Sequence, residues 1–340
     1  MRKFGVLFVL TVLAVTLVCG MASAATDLKG KEVVVYIAFG ENEGKAMLEA
    51  FEKETGCKFL FVRMPAGEIV ARVQAEKASP QADLILGGAA ENHEVLKAQG
   101  LLEKYLPKDA AKDIPEYYRD QDEFWTGFYV GPLAIGVNKD YWDKEFAPKG
   151  IESPKSFEDL LNPAFKGEIV MPDPSTSGTG YTLIASLVQS DGDQKAFDFL
   201  KKFRPQVAQF PGSGLKPAQM VGSGEYLICV NFLHDQLMLK KQGMPIVSVV
   251  PEGAGWEIGA TSIIKGGPNP EAAKALADFV VGKTAGDIHS QMTSRLSTRA
   301  DVPVPEGAVE LSKMPINKDY SFHKASEQRK NLVNKWKDTE

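Results

Sequence analysis

Residues 31–64 read KEVVVYIAFGENEGKAMLEAFEKETGCKFLFVRM. The β-rich run KEVVVYIA (31–38) is followed by EGKAMLEAFEKET (43–55), whose apolar residues recur at helical spacing, and Gly56 is the stop signal. CKFLFVRM (57–64) is the next strand. GEIVARVQAEKAS (67–79) is then a second helix and ADLIL (82–86) a third strand. This β-α-β-α-β rhythm predicts an α/β fold with a mainly parallel sheet flanked by helices on both faces. Such sheets bind ligands at the carboxyl ends of their strands. AFGENEG and GGAAENHE stand at two such ends, which makes Phe39, Gly40, Gly88 and Ala89 candidate ligand residues.

The texture changes at GFYVGPLAIGVNK (127–139), where strand residues are broken by Gly131-Pro132. This reads as a crossover into a second lobe, opened by a helix around SFEDLLNP (156–163) and the strand GEIVMPDP (167–174). YTLIASLVQ, QKAFDFLKKF and GLKPAQMVGSG carry helical patterns, while EYLICVNFL and PIVSVVP read as strands. GWEIGATSIIKG (255–266) returns the chain to the first lobe. The expected division is residues 25–127 with 262–340 as lobe one and 128–261 as lobe two, with a ligand cleft between them. A chain of this length normally splits in that way.

Residues 1–24 read as a secretory signal peptide: Arg2 and Lys3, an apolar run from Phe4 to Val18, and the small-residue site Ala22-Ser23-Ala24. Lipid attachment at Cys19 is the weaker alternative, because Val18 is bulkier than the residue usually found there. Export implies the periplasm. The formal charge of −5 becomes −7 once Arg2 and Lys3 are removed. An acidic chain of this kind argues against a nucleic-acid partner, since phosphate backbones require basic patches. Cys57 and Cys229 remain, either as a disulfide or as two small buried hydrophobes, and they are too few for a thiolate metal site.

The densest chemistry lies in DPSTSGTGYT (173–182), where hydroxyls and glycines run into a helix. Free N–H groups and the positive dipole end of a helix bind anions without a charged side chain. Plain capping needs one hydroxyl, and this stretch supplies four before Gly180. The lysine of a P-loop is missing. The anion-binding candidates are therefore Ser175, Thr176, Ser177, Gly178 and Thr179. Ser213 and Gly214 form a second small-residue turn ahead of a helix. NFLHDQ sets His234 and Asp235 at a strand end, where they can cap a helix, hold hydroxyls, ligate a metal or serve a triad. No G-x-S-x-G elbow and no H-x-x-x-H spacing accompany them, so hydroxyl recognition fits best. Glu257 is expected to face the cleft, with Trp256 or Phe39 stacking on a sugar face. Glu41 and Glu43 read as first-turn helix residues. Tyr117, Tyr118, Trp125 and Tyr129 read as core or lobe-surface residues, and His93 as exposed or cleft-facing. Arg63, Arg72 and Arg204 follow no motif.

Taken together, VVVYIAFGENEGKAMLEAFEKETG, ADLILGGAAENHEVLKAQGLLEKY, PDPSTSGTGYT and KPAQMVGSGEYLICVNF resemble the periplasmic substrate-binding proteins of ATP-driven importers, in the group of ferric-iron, phosphonate and sugar-phosphate binders. The resemblance implies a two-lobed type II binding protein, a monomer that closes on its ligand and docks on a membrane permease, with no enzymatic activity, cofactor or metal. Iron binders of that group carry two adjacent tyrosines where this chain has His234-Asp235. Its hexose-phosphate binders use a His-Asp pair and a later Glu for sugar hydroxyls, here His234, Asp235 and Glu257, and a small-residue cradle for phosphate. Those binders also carry a small polar residue after the first strand, where this chain has Ala38-Phe39-Gly40. Aminoethylphosphonate binders are the alternative. Ferric-iron binding ranks lower, and a secreted phosphatase lowest.

Overall fold

The structure is a computed structural model that describes residues 27–339. The expected signal peptide and Cys19 lie outside the described residues. Among the described residues eleven strands carry the fold: β1 (Glu32–Ile37), β2 (Lys58–Arg63), β3 (Leu84–Ala89), β4 (Leu102–Glu103), β5 (Thr126–Asn138), β6 (Ile169–Val170), β7 (Val207–Gln209), β8 (Ile228–Phe232), β9 (Ile246–Val249), β10 (Trp256–Ile264) and β11 (Leu296–Ser297). Their path runs β2-β1-β3-β10-β5-β8-β6-β7.

In the first lobe β1 pairs in parallel with β2 and β3, as the opening rhythm requires. The helix between β1 and β2, Glu41–Thr55, ends on Gly56, whose φ of 72° gives the left-handed cap predicted from sequence. Met47, Leu48 and Phe51 of that helix are buried against Val33, Val35 and Ile37, while Ile69, Val70 and Val73 cover the opposite face with Tyr36 and Ile85. The sheet is mixed rather than mainly parallel, because β10 and β5 enter it antiparallel.

β5 and β10 are the crossing strands. The sequence suggested a break at Gly131-Pro132, yet β5 is continuous over 13 residues. Its first half pairs with β10, to Glu257↔Gly131 and Trp256↔Pro132. Its second half pairs with β8 and β9, beginning at Leu133↔Phe232. Pro132, which has no N–H to give a ladder, sits where the strand changes partners. In the second lobe β6 pairs in parallel with β7 and β8. The helix expected at SFEDLLNP is two short 3-10 turns, Glu158–Leu161 and Pro163–Phe165, because Pro163 removes a helical donor.

The last helix, Phe322–Lys337, packs on both the helix Ala90–Ala98 and the helix Gly178–Asp191. Its Leu332 and Trp336 share a core with Phe197, Leu200 and Phe203 of the second lobe. This helix therefore bridges the two lobes, where residues 262–340 were expected in lobe one. Cys57 and Cys229 are both buried and unpaired, which favours the hydrophobe reading over a disulfide. Among the described residues no helix is long and apolar enough to cross a membrane.

Candidate functional site

A cavity of about 50 Å³ lies between the lobes, where the strand ends of both meet. One wall begins at Asp173. Its carboxylate accepts from Ser175 N (2.8 Å) and its carbonyl from Thr176 N and Ser177 N. The turn so formed delivers the chain into the helix Gly178–Asp191, whose first internal bond runs from Tyr181 N to Ser177 O. The N–H groups of Gly178, Thr179 and Gly180 precede that bond and have no helical acceptor. Ser177 is buried at the cap position, yet its hydroxyl makes no capping bond. Plain capping is therefore not what the hydroxyl does.

Gly214 closes this wall from the second turn. A Cβ there would lie 2.4 Å from Thr179 Oγ1 and 3.6 Å from Ser177 Oγ, so only glycine lets the two turns approach this closely. Ser177, Gly178, Thr179 and Gly214 line the cavity. Ser175, Thr176 and Ser213 do not. Thr176 O instead accepts from Gly67 N across the lobes, and Ser213 Oγ accepts from Arg63 Nη2 at 2.9 Å. Arg63 is the last residue of β2. Its Nε donates to Phe39 O, and its guanidinium lines the cavity facing the cradle.

The opposite wall is made of charge. His234 and Asp235 open the helix Leu233–Lys241 after β8, and Glu257 is the second residue of β10. His234 is 4 % exposed, Asp235 6 % and Glu257 3 %. Between them lies Arg295, 4 % exposed, just before β11. Its Nε donates to both oxygens of Glu43 at 3.1 Å, and its Nη1 meets His234 Nε2. Asp235 Oδ1 stands 3.8 Å from its Nη2 and Glu257 Oε1 3.9 Å from the same Nη1. The guanidinium lies over the Tyr129 ring at 4.3 Å and the Phe39 ring at 5.4 Å.

Burial governs the ionisation of this wall. It raises the pKa of Asp235, against Arg295, Asn231 and Arg63, and that of Glu257 well above the usual range, against Arg295. Glu43 is raised by burial too, again opposed by Arg295. For His234, burial and then Arg295 and His289 push the pKa well down, so the ring is neutral. An arginine only donates, so His234 Nε2 is its acceptor and the ring proton lies on Nδ1. Burial disfavours the charge on Arg295, but Glu43, Tyr129, Asp235 and Glu257 outweigh it and raise its pKa.

Phe39, Gly40, Gly88 and Ala89, the candidates at strand ends, line the cavity. Trp256 does not: it is buried, donates to Asn317 O and packs against Tyr118 and Phe322. His93 is buried, held by Ser262 Oγ at 2.7 Å and Gly87 O at 3.2 Å. Glu43 does more than complement a helix dipole. Three polar lining residues, Arg63, Tyr129 and Arg295, were not singled out as site residues from sequence; Arg63 at the carboxyl end of a parallel strand was the one with a usable signal. Among the described residues no group of three or more His, Cys, Asp or Glu is arranged to hold a metal ion.

Residues 79–327 match the model of a family described as bacterial extracellular solute-binding protein. The chain is 35% identical over 337 residues to an uncharacterized protein of Haemophilus influenzae, covering 96% of each. It is 26% identical to a putative 2-aminoethylphosphonate-binding periplasmic protein of Salmonella typhi, over 85% of each chain. The solved periplasmic binding protein AfuA of Actinobacillus pleuropneumoniae, with fructose-6-phosphate bound, superposes with a TM-score of 0.86 at 33% identity, covering 91% of this chain and 98% of its own. The two-lobed α/β architecture and the resemblance to importer binding proteins of the iron, phosphonate and sugar-phosphate group thus hold, and the chain belongs to the bacterial extracellular solute-binding protein family.

Proposed function

We propose that this protein captures a phosphorylated small molecule, a hexose phosphate by preference, in the cleft between its lobes and delivers it to the membrane permease of an ABC importer. The observation that carries this reading is the division of one cavity into two unlike walls. Ser177, Gly178, Thr179 and Gly214 offer N–H groups and hydroxyls to an anion, with Arg63 opposite. Asp235 and Glu257 offer acceptors, and His234 the proton on Nδ1, to hydroxyl groups. The protein acts as a monomer in the periplasm and performs no chemistry on its ligand; it binds, and the lobes close.

Arg295 also ranks the alternatives. An aminoethylphosphonate would bring an ammonium group to the wall where Arg295 already stands 3.8 to 3.9 Å from Asp235 and Glu257. A ferric ion would meet the same fixed positive charge among its would-be ligands.

A thermal-shift panel tests the reading: glucose, fructose and mannose phosphates, glycerol phosphate, aminoethylphosphonate, inorganic phosphate and ferric citrate. The expected result is the largest shift with a hexose phosphate and no released phosphate on prolonged incubation. A shift with ferric citrate alone would overturn it.

A further inference from the structure

Arg295 is the one guanidinium in the cleft whose partners come from every side of it. Glu43 faces it from the first helix, His234 and Asp235 from the helix after β8, and Glu257 from β10. His289, on the helix Lys283–Thr293, lies close enough to feel its charge, while Arg63 acts on Asp235 and Glu91 on Glu257 from farther off. Its own place is fixed twice over, by the two Glu43 oxygens and by the Tyr129 and Phe39 rings. A planar fork held in this way is a template rather than a mobile charge.

We propose that Arg295 is a specificity-determining positioning residue: its one guanidinium, fixed by Glu43 and two rings, spaces His234, Asp235 and Glu257 so that the two carboxyl groups and the His234 Nδ1 proton meet the hydroxyls of a phosphorylated polyol. The ligand class in this statement rests on the function proposed above. The hold of Arg295 on the three side chains does not. Three acidic groups share this one buried cation, with Glu43 taking the paired contact. Without it, Asp235 and Glu257 would be buried carboxylates with no nearby cation but Arg63, and a buried carboxylate without a partner takes up a proton. His234 would lose the donor that fixes its tautomer.

The test uses the mature chain with Arg295→Gln and Arg295→Lys. Without ligand, urea unfolding is measured from pH 5 to pH 8. A folded state whose carboxyl pKa values rise further above the unfolded ones loses stability as pH rises. The deficit of Arg295→Gln against the native protein should therefore widen toward pH 8, and that of Arg295→Lys, which keeps the charge, should widen less. Calorimetric titration then compares glucose 6-phosphate with inorganic phosphate. The preference for the sugar phosphate should fall roughly tenfold or more in both variants, since lysine keeps the charge but not the fork.

A deficit that is constant with pH would reduce Arg295 to packing and overturn its hold on the carboxyls. An unchanged preference would overturn its part in specificity. If the native protein itself prefers aminoethylphosphonate, the polyol assignment fails, while the ligand-free pH series still reads the carboxyls. If Arg295→Gln folds only at acid pH, that supports the proposal; if neither variant folds at any pH, that counts against it.

Discussion

The wall carried by Ser177, Gly178, Thr179 and Gly214 is small, uncharged and contiguous in sequence except for Gly214, whereas the wall of Glu43, His234, Asp235, Glu257 and Arg295 is charged, buried and gathered from four separate segments. In the function proposed, the first would recognise an anion with backbone donors whose direction is set by a helix start. The second would recognise with side chains whose charges must first be balanced against one another. A single substitution should therefore act locally on the first wall and propagate on the second.

The largest effect is expected from filling the first wall. In Gly214→Val the added atoms fall where a Cβ is already 2.4 Å from Thr179 Oγ1. The cradle closes, and affinity for sugar phosphate and inorganic phosphate alike should drop about a hundredfold or more, as several charge-assisted bonds are lost together. Titration with both ligands checks this. Retained phosphate binding would move the anion site elsewhere.

Asp235→Ala should break the symmetry between ligands. It removes an acceptor of the second wall, so hexose phosphate affinity should fall roughly 10- to 100-fold, the worth of a bond to a charged group. Inorganic phosphate should change by a few fold at most. Equal losses for both would join the two walls into one. Arg63→Gln should do the reverse, weakening every phosphorylated ligand by about tenfold, because its guanidinium faces the cradle and steadies Ser213. The salt dependence of binding should become shallower in that variant.

These two variants also mark how far the sequence could be read. The cradle was legible because its parts are neighbours: hydroxyls, glycines and a helix start within ten residues. Phe39, Gly40, Gly88, Ala89, His234 and Asp235 were legible because each lies at or just past the end of a strand whose pattern is plain. The main elements were readable, but the helices Ala90–Ala98 and Lys139–Glu145 and the short strands β4, β7 and β11 were not, β5 passes unbroken through Gly131-Pro132, and Pro163 divides an expected helix. Arg295 was not legible. It meets Glu43 across 252 residues, and nothing in TSRLS announces a buried cation. Tyr129 and Trp256 were exchanged for a related reason. Both sit on crossing strands, and alternation along a strand does not say which face of a crossing strand lines the cleft.

Acid should separate the carboxyl wall from the histidines behind it. Burial lowers His93 to about 4 and His289 to about 3, below the ordinary histidine value near 6.5. Between those values the unfolded chain binds protons that the folded chain does not. The stability these rings contribute is complete above about pH 7 and is lost as pH falls toward 4, by about 1.4 kcal/mol per unit for each ring. The raised carboxyls of Glu43, Asp235 and Glu257 work in the opposite sense, adding stability as pH falls. His289→Phe, which keeps the stack on Phe128, should flatten the decline seen in urea midpoints between pH 7 and 5. An unchanged slope would mean that His289 is reached by water.

The smallest effect concerns the junction behind both walls. Thr182, one turn into the cradle helix, has its hydroxyl 3.0 Å from both Glu91 Oε1 of lobe one and Gly178 O of its own helix. Gly67 N to Thr176 O and Arg63 to Ser213 span the same gap. None of these bonds needs a ligand, so together they favour this apposition of the lobes before one arrives. Each ligand's apparent affinity scales with the population of that arrangement. Thr182→Val keeps the shape, removes one neutral donor and leaves Glu91 without its partner. The cost is about 1 kcal/mol, or roughly fivefold in affinity. Because Thr182 touches neither wall, sugar phosphate and inorganic phosphate should weaken by the same factor, with faster ligand release. A loss confined to one ligand would mean that this junction belongs to that wall instead of to the hinge between them.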